Sequence, residues 1–269
     1  MDLTFLFLLI IAGFGAGVVT GLAGASAATI VTPVMSMLAG LPAYTAITIA
    51  LFTDVFASSA SAYTFWKNGN INIKKGLFVS IFVVTGSIIG SYISTKVSSD
   101  SLGMVSLLSI LLVSINFLKK ADRMKKEDEG LIEKQEPKLY FQNNKNLAII
   151  FFGLFIGFLC GFVGAGGGLM ILLMLSSILG LDTKTGVGTS VLVMTFTALS
   201  GGIAHLPNVA PLENGMSLFL LIVISGVFGI IGAKLAANYA NKVKEYMLLR
   251  IVAVTFLTLI GVSLVTKLL

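Results

Sequence analysis

Titratable and metal-binding chemistry is scarce in this sequence. Of its 269 residues only 11 % are charged, one is cysteine and one is histidine. The lone cysteine, Cys160, excludes an internal disulfide and reads as a small apolar packing residue. The lone histidine, His205, has no cysteine or second histidine at ligand spacing, so no metal site is expected. No nucleophile–base pair or phosphate-binding loop stands out. Gly164-Ala165-Gly166 lies in an apolar helical context rather than a strand–turn–helix, so a nucleotide reading lacks its confirming condition. These absences argue against an enzyme, including an intramembrane one, and imply no cofactor. The start, Met1-Asp2-Leu3, carries no basic segment, and the apolar run continues past any plausible cleavage site, so no cleaved signal peptide is predicted.

Apolar residues fill the space left by charge. They make up 56 % of the chain, with a mean hydropathy of +0.99, which places it among integral membrane proteins of the cell membrane, with the lipid bilayer as its main partner. The net charge of +6 gathers beside the apolar runs, so it reports orientation and not nucleic-acid binding.

The chain is also a tandem duplication. An offset of 140 residues lays Gly13, Gly17, Gly21, Gly24 and Ala25 on Gly153, Gly157, Gly161, Gly164 and Ala165, and later Gly40-Leu41 on Gly180-Leu181. Thr45, Phe56 and Asn68 then fall on Thr185, Phe196 and Asn208, while Ile88-Ile89-Gly90 matches Ile230-Ile231-Gly232 at an offset of 142.

Each glycine motif sits inside a long apolar stretch, Leu3 to Ala39 and Leu147 to Leu179. A straight helix crosses the hydrocarbon core in about 20 residues, so these stretches exceed one simple crossing. Glycine costs about 1 kcal/mol relative to alanine inside a helix, and the run Gly161 to Gly168 predicts a break there. Backbone that leaves the helix at membrane depth survives only where protein buries it or where it lines a wet cavity, and paired breaks in two repeats point to a transporter's binding site. The half-helices after Ser26 and after Gly168 would then aim free N–H groups at a shared chamber, which suits an anion. The competing reading is packing alone, because the glycines before each break also have the spacing that lets two helices approach closely.

In chain order the expected organisation is a first transmembrane repeat over residues 1–118, a charged cytoplasmic linker over 119–146 and a second repeat over 147–269. Apolar runs at Ala43–Trp66, Gly76–Thr95 and Leu102–Leu118 follow the first broken segment, and runs at Thr185–Leu206, Met216–Ala237 and Tyr246–Thr266 follow the second. The fold class is thus an all-α polytopic membrane protein of two tandem repeats, each a glycine-broken segment plus three transmembrane helices. If each broken segment crosses once, the repeats are parallel; if it returns as a re-entrant or split hairpin, they are inverted. The return places only Lys96 and Lys267 of the 18 basic residues outside, and the positive-inside rule favours it.

The predicted anion-contacting residues are Gly24, Ala25, Ser26, Ala27 and Thr29 at the first break, Gly164, Gly166, Gly167 and Gly168 at the second, and Thr189 and Ser190 at the start of the following span. Hydroxyls and amides bind an oxyanion without the cost of burying a fixed charge, although intramembrane Ser and Thr also bond to their own helix. Asp54 lies within an apolar run, where an acid is expensive, and is a candidate for proton coupling against a structural hydrogen bond. The repeat places Met194 at its equivalent position. His205, at the end of a span, is a second candidate for proton coupling, against a helix-capping role.

The run Gly161-Phe162-Val163-Gly164-Ala165-Gly166-Gly167-Gly168, the duplication and the length resemble the TauE/SafE family of sulfite and organosulfonate exporters. The resemblance covers nearly the whole chain. It implies a secondary carrier of small sulfur-containing anions such as sulfite, thiosulfate or sulfoacetate, linked to the proton gradient, working by alternating access. The first copy departs from the glycine-rich pattern: Ser26, Ala27 and Ala28 stand where the second has Gly166, Gly167 and Gly168, and Pro33 faces Leu173. The alternative function is a channel-like pore for small anions or neutral solutes. A small anion, a proton and a second copy of the chain are the candidate partners.

Overall fold

The computed structural model describes residues 3–131, 144–164, 167–209, 212, 217–240 and scattered positions between 246 and 261. Its described residues form helices joined by turns and include no strand. Six of the helices are long and apolar enough to cross a membrane. Residues 132–143 of the linker and most of the expected span Tyr246–Thr266 lie outside the described residues.

Both long apolar stretches are broken at the expected glycines. Helix α1 (Leu3–Ala23) stops at Gly24, which takes a left-handed φ of 66°, and α2 (Ala28–Pro33) follows, running on as a wider-wound turn over Val34–Leu38. Helix α6 (Lys145–Val163) stops at Gly164, φ 67°, and α7 (Gly167–Leu179) follows. A side chain at either position would strain the left-handed backbone, which is why glycine ends the helix there. Each short helix folds back along the long one: Ile30 of α2 lies beside Gly15 of α1, and Met170 and Met174 of α7 share a groove with Phe152 and Ile156 of α6.

Three of the remaining helices start at a side-chain cap. Pro42 precedes α3 (Ala43–Lys67), the Asn72 side chain accepts from Lys75 N–H at 3.1 Å to open α4 (Ile73–Ser94), and Ser98 does the same for α5 (Ser99–Asp128). Asp182 accepts from Thr185 N–H at 3.2 Å at the start of α8 (Thr183–His205), and α9 is Leu218–Ala240. Helix α5 runs without interruption through the fourth apolar run into the charged segment as far as Asp128, where Arg123–Glu127 and Lys125–Glu129 pairs lie on its surface.

Packing joins helices from opposite halves of the sequence. Gly13, Gly17 and Gly21 of α1 meet Ser225, Gly229 and Ala233 of α9 in rising order, so close that a Cβ on any of the three would run into a backbone carbonyl oxygen. Gly157 and Gly161 of α6 meet Val83 and Ser87 of α4 in the same way, and Gly86 and Gly90 of α4 return the contact on Leu154 and Phe158. Small residues allow this approach, and in lipid, where apolar association has no solvent drive, contact and hydrogen bonding hold helices together. The glycine motif therefore divides its work: its first three glycines form a seam and its fourth forms the break.

Between the seams run α3 and α8, the two most buried spans. They cross in falling order, Phe52 beside Gly202, Ser58 bonded to Thr195 at 2.9 Å, Phe65 beside Gly188. Against α9, α3 runs in rising order, with Thr53 bonded to Ser225 at 2.7 Å and Ala57 beside Gly229. Helix α4 also rises with α8, from Gly76 at Thr189 to Ser87 at Thr197 and Gly201.

Gly17→Ala is expected to destabilise the protein by about 1–3 kcal/mol, because its methyl meets backbone that cannot move aside. Gly15→Ala, whose methyl would rest at ordinary contact distance from Ile30, should be neutral or gain up to about 1 kcal/mol of helix propensity. Thermal unfolding of the purified protein in detergent distinguishes the two.

Candidate functional site

A helix break leaves amide hydrogens and carbonyls without partners, and burial makes each costly to leave unmatched. At the first break one such amide and a neighbouring hydroxyl converge on Asp54 of α3. The Ser26 hydroxyl donates to Oδ2 at 2.5 Å and Ala27 N–H to Oδ1 at 2.8 Å. Asp54 is 2 % exposed, so its carboxyl is held wholly by protein. Ala28 N–H donates to Ser26 Oγ at 3.3 Å, and the Thr29 hydroxyl donates to the Ser26 carbonyl at 2.6 Å. Gly24 N–H turns back to the Thr20 carbonyl, and Ser190 of α8 lies against Gly24.

At the second break Gly164 N–H returns to the Cys160 carbonyl at 2.9 Å and Ile47 of α3 packs on Gly164. Gly167 packs on Cys160 Sγ. Gly168 is pressed between the Gly24 carbonyl oxygen and Met194 Sδ, so a Cβ there would overlap the other break. The two broken tips therefore touch. Between them is a cavity of about 10 Å³ walled by Ser26, Leu51, Asp54, Cys160, Gly164, Met194, Thr197 and Ala198. That is room for about one water molecule.

The structure thus gathers Gly24, Ala25, Ser26, Ala27, Thr29, Gly164, Gly167, Gly168 and Ser190 around the meeting of the tips, all of them buried. Gly166 lies outside the described residues. Thr189 stands apart: its hydroxyl accepts from Asn72 N–H at 3.0 Å, at the turn between α3 and α4. His205 is not among the residues of the cavity wall. It is fully buried, stacks on Tyr44 of α3 with ring centroids 4.6 Å apart, and its Nε2 donates to the Gly161 carbonyl at 2.9 Å with Ser94 Oγ of α4 at 3.4 Å. Gly161 is in the last turn of α6, whose carbonyls lack helical partners, so His205 caps that turn from the side. Its Nδ1 has no hydrogen-bond partner among the described residues.

Cys160, Met194 and Thr197 in the cavity wall were not among the expected anion contacts. The duplication carried a signal for one of them, since Met194 is the counterpart of Asp54. Among the described residues no cluster of three or more His, Cys, Asp or Glu side chains is placed to hold a metal.

Residues 9–264 match the family model described as sulfite exporter TauE/SafE. The chain belongs to this family. It is accordingly a multi-pass protein of the cell membrane, and its family is one of transporters and not of enzymes. Two proteins of Bacillus subtilis (strain 168) are similar to it over most of their length. The probable membrane transporter protein YdhB is 28 % identical over 246 residues, covering 90 % of this chain and 93 % of that one. The probable membrane transporter protein YunE is 26 % identical over 273 residues, covering 96 % of each. No solved structure matches the chain.

His205→Phe keeps an aromatic ring beside Tyr44, matches the Phe65 that stands at the equivalent place, and removes the hydrogen bond to the Gly161 carbonyl. It should lower stability by about 1–3 kcal/mol, the cost of a buried acceptor left unmatched, read as a lower melting temperature in detergent.

Proposed function

We propose that this protein is a secondary transporter of small sulfur-containing anions, such as sulfite, thiosulfate or sulfoacetate, which bind between the two broken helices and are exposed to each side of the membrane in turn. The observation that carries this reading is the meeting of the two tips around a cavity in the middle of the crossing pair α3 and α8. Its wall includes the hydroxyl-bearing Ser26 and Thr197, the acid Asp54 and no fixed positive charge, so an oxyanion held there by hydrogen bonds can still be released. The anion class comes from the family.

The architecture that goes with it is a pair of inverted repeats. What supports this is helix direction: α1, α3 and α9 share one sense, by the rising register of α1 on α9 and of α3 on α9. Helices α4, α6 and α8 share the other, by the rising register of α4 on α6 and on α8 and the falling register of α3 on α8. The equivalent helices α1 and α6, α3 and α8, α4 and α9 then oppose one another. The folding back of each broken segment supports the return reading, in which only Lys96 and Lys267 of the 18 basic residues are outside, as the positive-inside rule favours. Closure of the central cavity to the size of one water speaks for a carrier that opens by rearrangement over a standing pore.

Binding by the purified protein should be detectable for at least one of sulfite, thiosulfate, sulfoacetate and taurine and weaker for acetate and succinate. Gly168→Val, which forces the tips apart, should reduce that binding by more than about tenfold, with the melting temperature measured alongside. Equal affinity for carboxylates and sulfur oxyanions, or no loss in the Gly168 variant, would overturn the reading.

A further inference from the structure

We propose that Asp54 and Ser26 form a donor switch through which one proton and one anion are bound together. The proposal rests on the anion-carrier reading above and adds to it a coupling partner and a stoichiometry.

A serine hydroxyl has one hydrogen to give. In the arrangement described, Ser26 gives it to Asp54 Oδ2, and Ala27 N–H is given to Oδ1, so both carboxyl oxygens accept and neither donates. That is the pattern of an ionised acid. Adding a proton at Oδ2 reverses the contact: Asp54 O–H donates to Ser26 Oγ, and the Ser26 hydrogen is released. Ser26 and Asp54 both line the central cavity, so that hydrogen turns to face whatever occupies it. Other nearby hydroxyls are held on their own helices, Thr197 on the Val193 carbonyl at 2.9 Å and Ser190 on the Val187 carbonyl at 2.9 Å. The same proton removes the negative charge that would repel an anion in the cavity. Two effects of one protonation therefore act in the same direction, adding a donor and deleting a repulsion.

The switch is built once. The position equivalent to Asp54 holds Met194, which cannot carry a proton and packs on Gly168 at the other tip. Competing titratable groups are few. Helices α1 and α2 contain none, α6 contributes Cys160 to the cavity wall, α8 has exposed Lys184 at its start and His205 at its end, and α9 has exposed Lys234 and Tyr239. Helix α5 carries Asp100 in its first turn and its basic cluster from the exposed Lys119 onward. One proton, taken from water on the side to which the cavity is open, thus accompanies one anion and leaves on the other side; the Asp54 O–H bond made on loading, at the expense of a hydronium O–H, is broken again when water on the far side takes the proton.

The test uses full-length protein in liposomes with thiosulfate as probe, because its own charge is constant from about pH 5 to pH 8, where an unperturbed carboxyl has already ionised. Wild-type affinity is expected to fall with rising pH, approaching tenfold per pH unit on the alkaline side, and thiosulfate flux to carry one proton in the same direction. In Asp54→Asn the amide oxygen still accepts from Ala27 and the amide nitrogen donates to Ser26, reproducing the protonated form. This variant should bind thiosulfate with less than about a twofold change over the same pH range and exchange it without moving protons. Ser26→Ala, which loses the released hydrogen, should bind at least about tenfold more weakly at low pH. Proton movement retained in Asp54→Asn, or wild-type binding that is flat with pH, would overturn the switch while leaving the carrier standing. Absence of binding for thiosulfate and for the other sulfur oxyanions would overturn the carrier reading and the switch with it.

Discussion

Unpaired backbone in a low-dielectric interior is the constraint on which the rest of this structure depends. Ending α1 at Ala23 and α6 at Val163 strands amides and carbonyls where lipid offers no partner. The chain answers with side chains brought from helices far away in sequence: Asp54 takes the Ala27 amide, and His205 gives its Nε2 hydrogen to the Gly161 carbonyl. Those two contacts tie the broken segments to α3 and α8, which run through the middle of the molecule. The buried acid and the buried histidine are therefore first of all solutions to a backbone problem, and any further chemistry is built on a position already required by the fold.

The seams make the breaks affordable in space. Glycine at three successive turns lets α1 lie on α9 at backbone contact, and Gly157 and Gly161 do the same for α6 on α4. The tips are thereby held deep enough to touch each other. The resulting cavity wall has two hydroxyl-bearing residues, a thiol and the Asp54 carboxyl, without a lysine or arginine. A carrier needs to let go of its cargo, and a salt bridge in a dry cavity resists release more than a set of neutral donors does.

Much of this was legible in the residues. The two breaks, the spans from Ala43 and Gly76 and the helices around Thr185 and Met216 follow from apolar length and glycine position, which are local properties. The seam partners were not legible, because a glycine shows that something comes close without showing what. Asp54 and Ser26 each drew attention, one as an expensive acid and the other as a hydroxyl beside a break. Their pairing depends on α3 folding across the tip of α1, and no local pattern in the sequence reports that crossing. Thr189 illustrates the reverse case. It has the right residue type beside Ser190, but one step along a helix turns its side chain through about 100°, and its hydroxyl goes to the Asn72 amide.

The two seams interlock the halves of the chain, since each fastens a helix of the first half to one of the second. Peptide connectivity between them is then redundant for cohesion. A single proteolytic nick in the charged stretch after Asp128 would leave two fragments that co-migrate as one particle, and halves synthesised separately would have the surfaces needed to find each other.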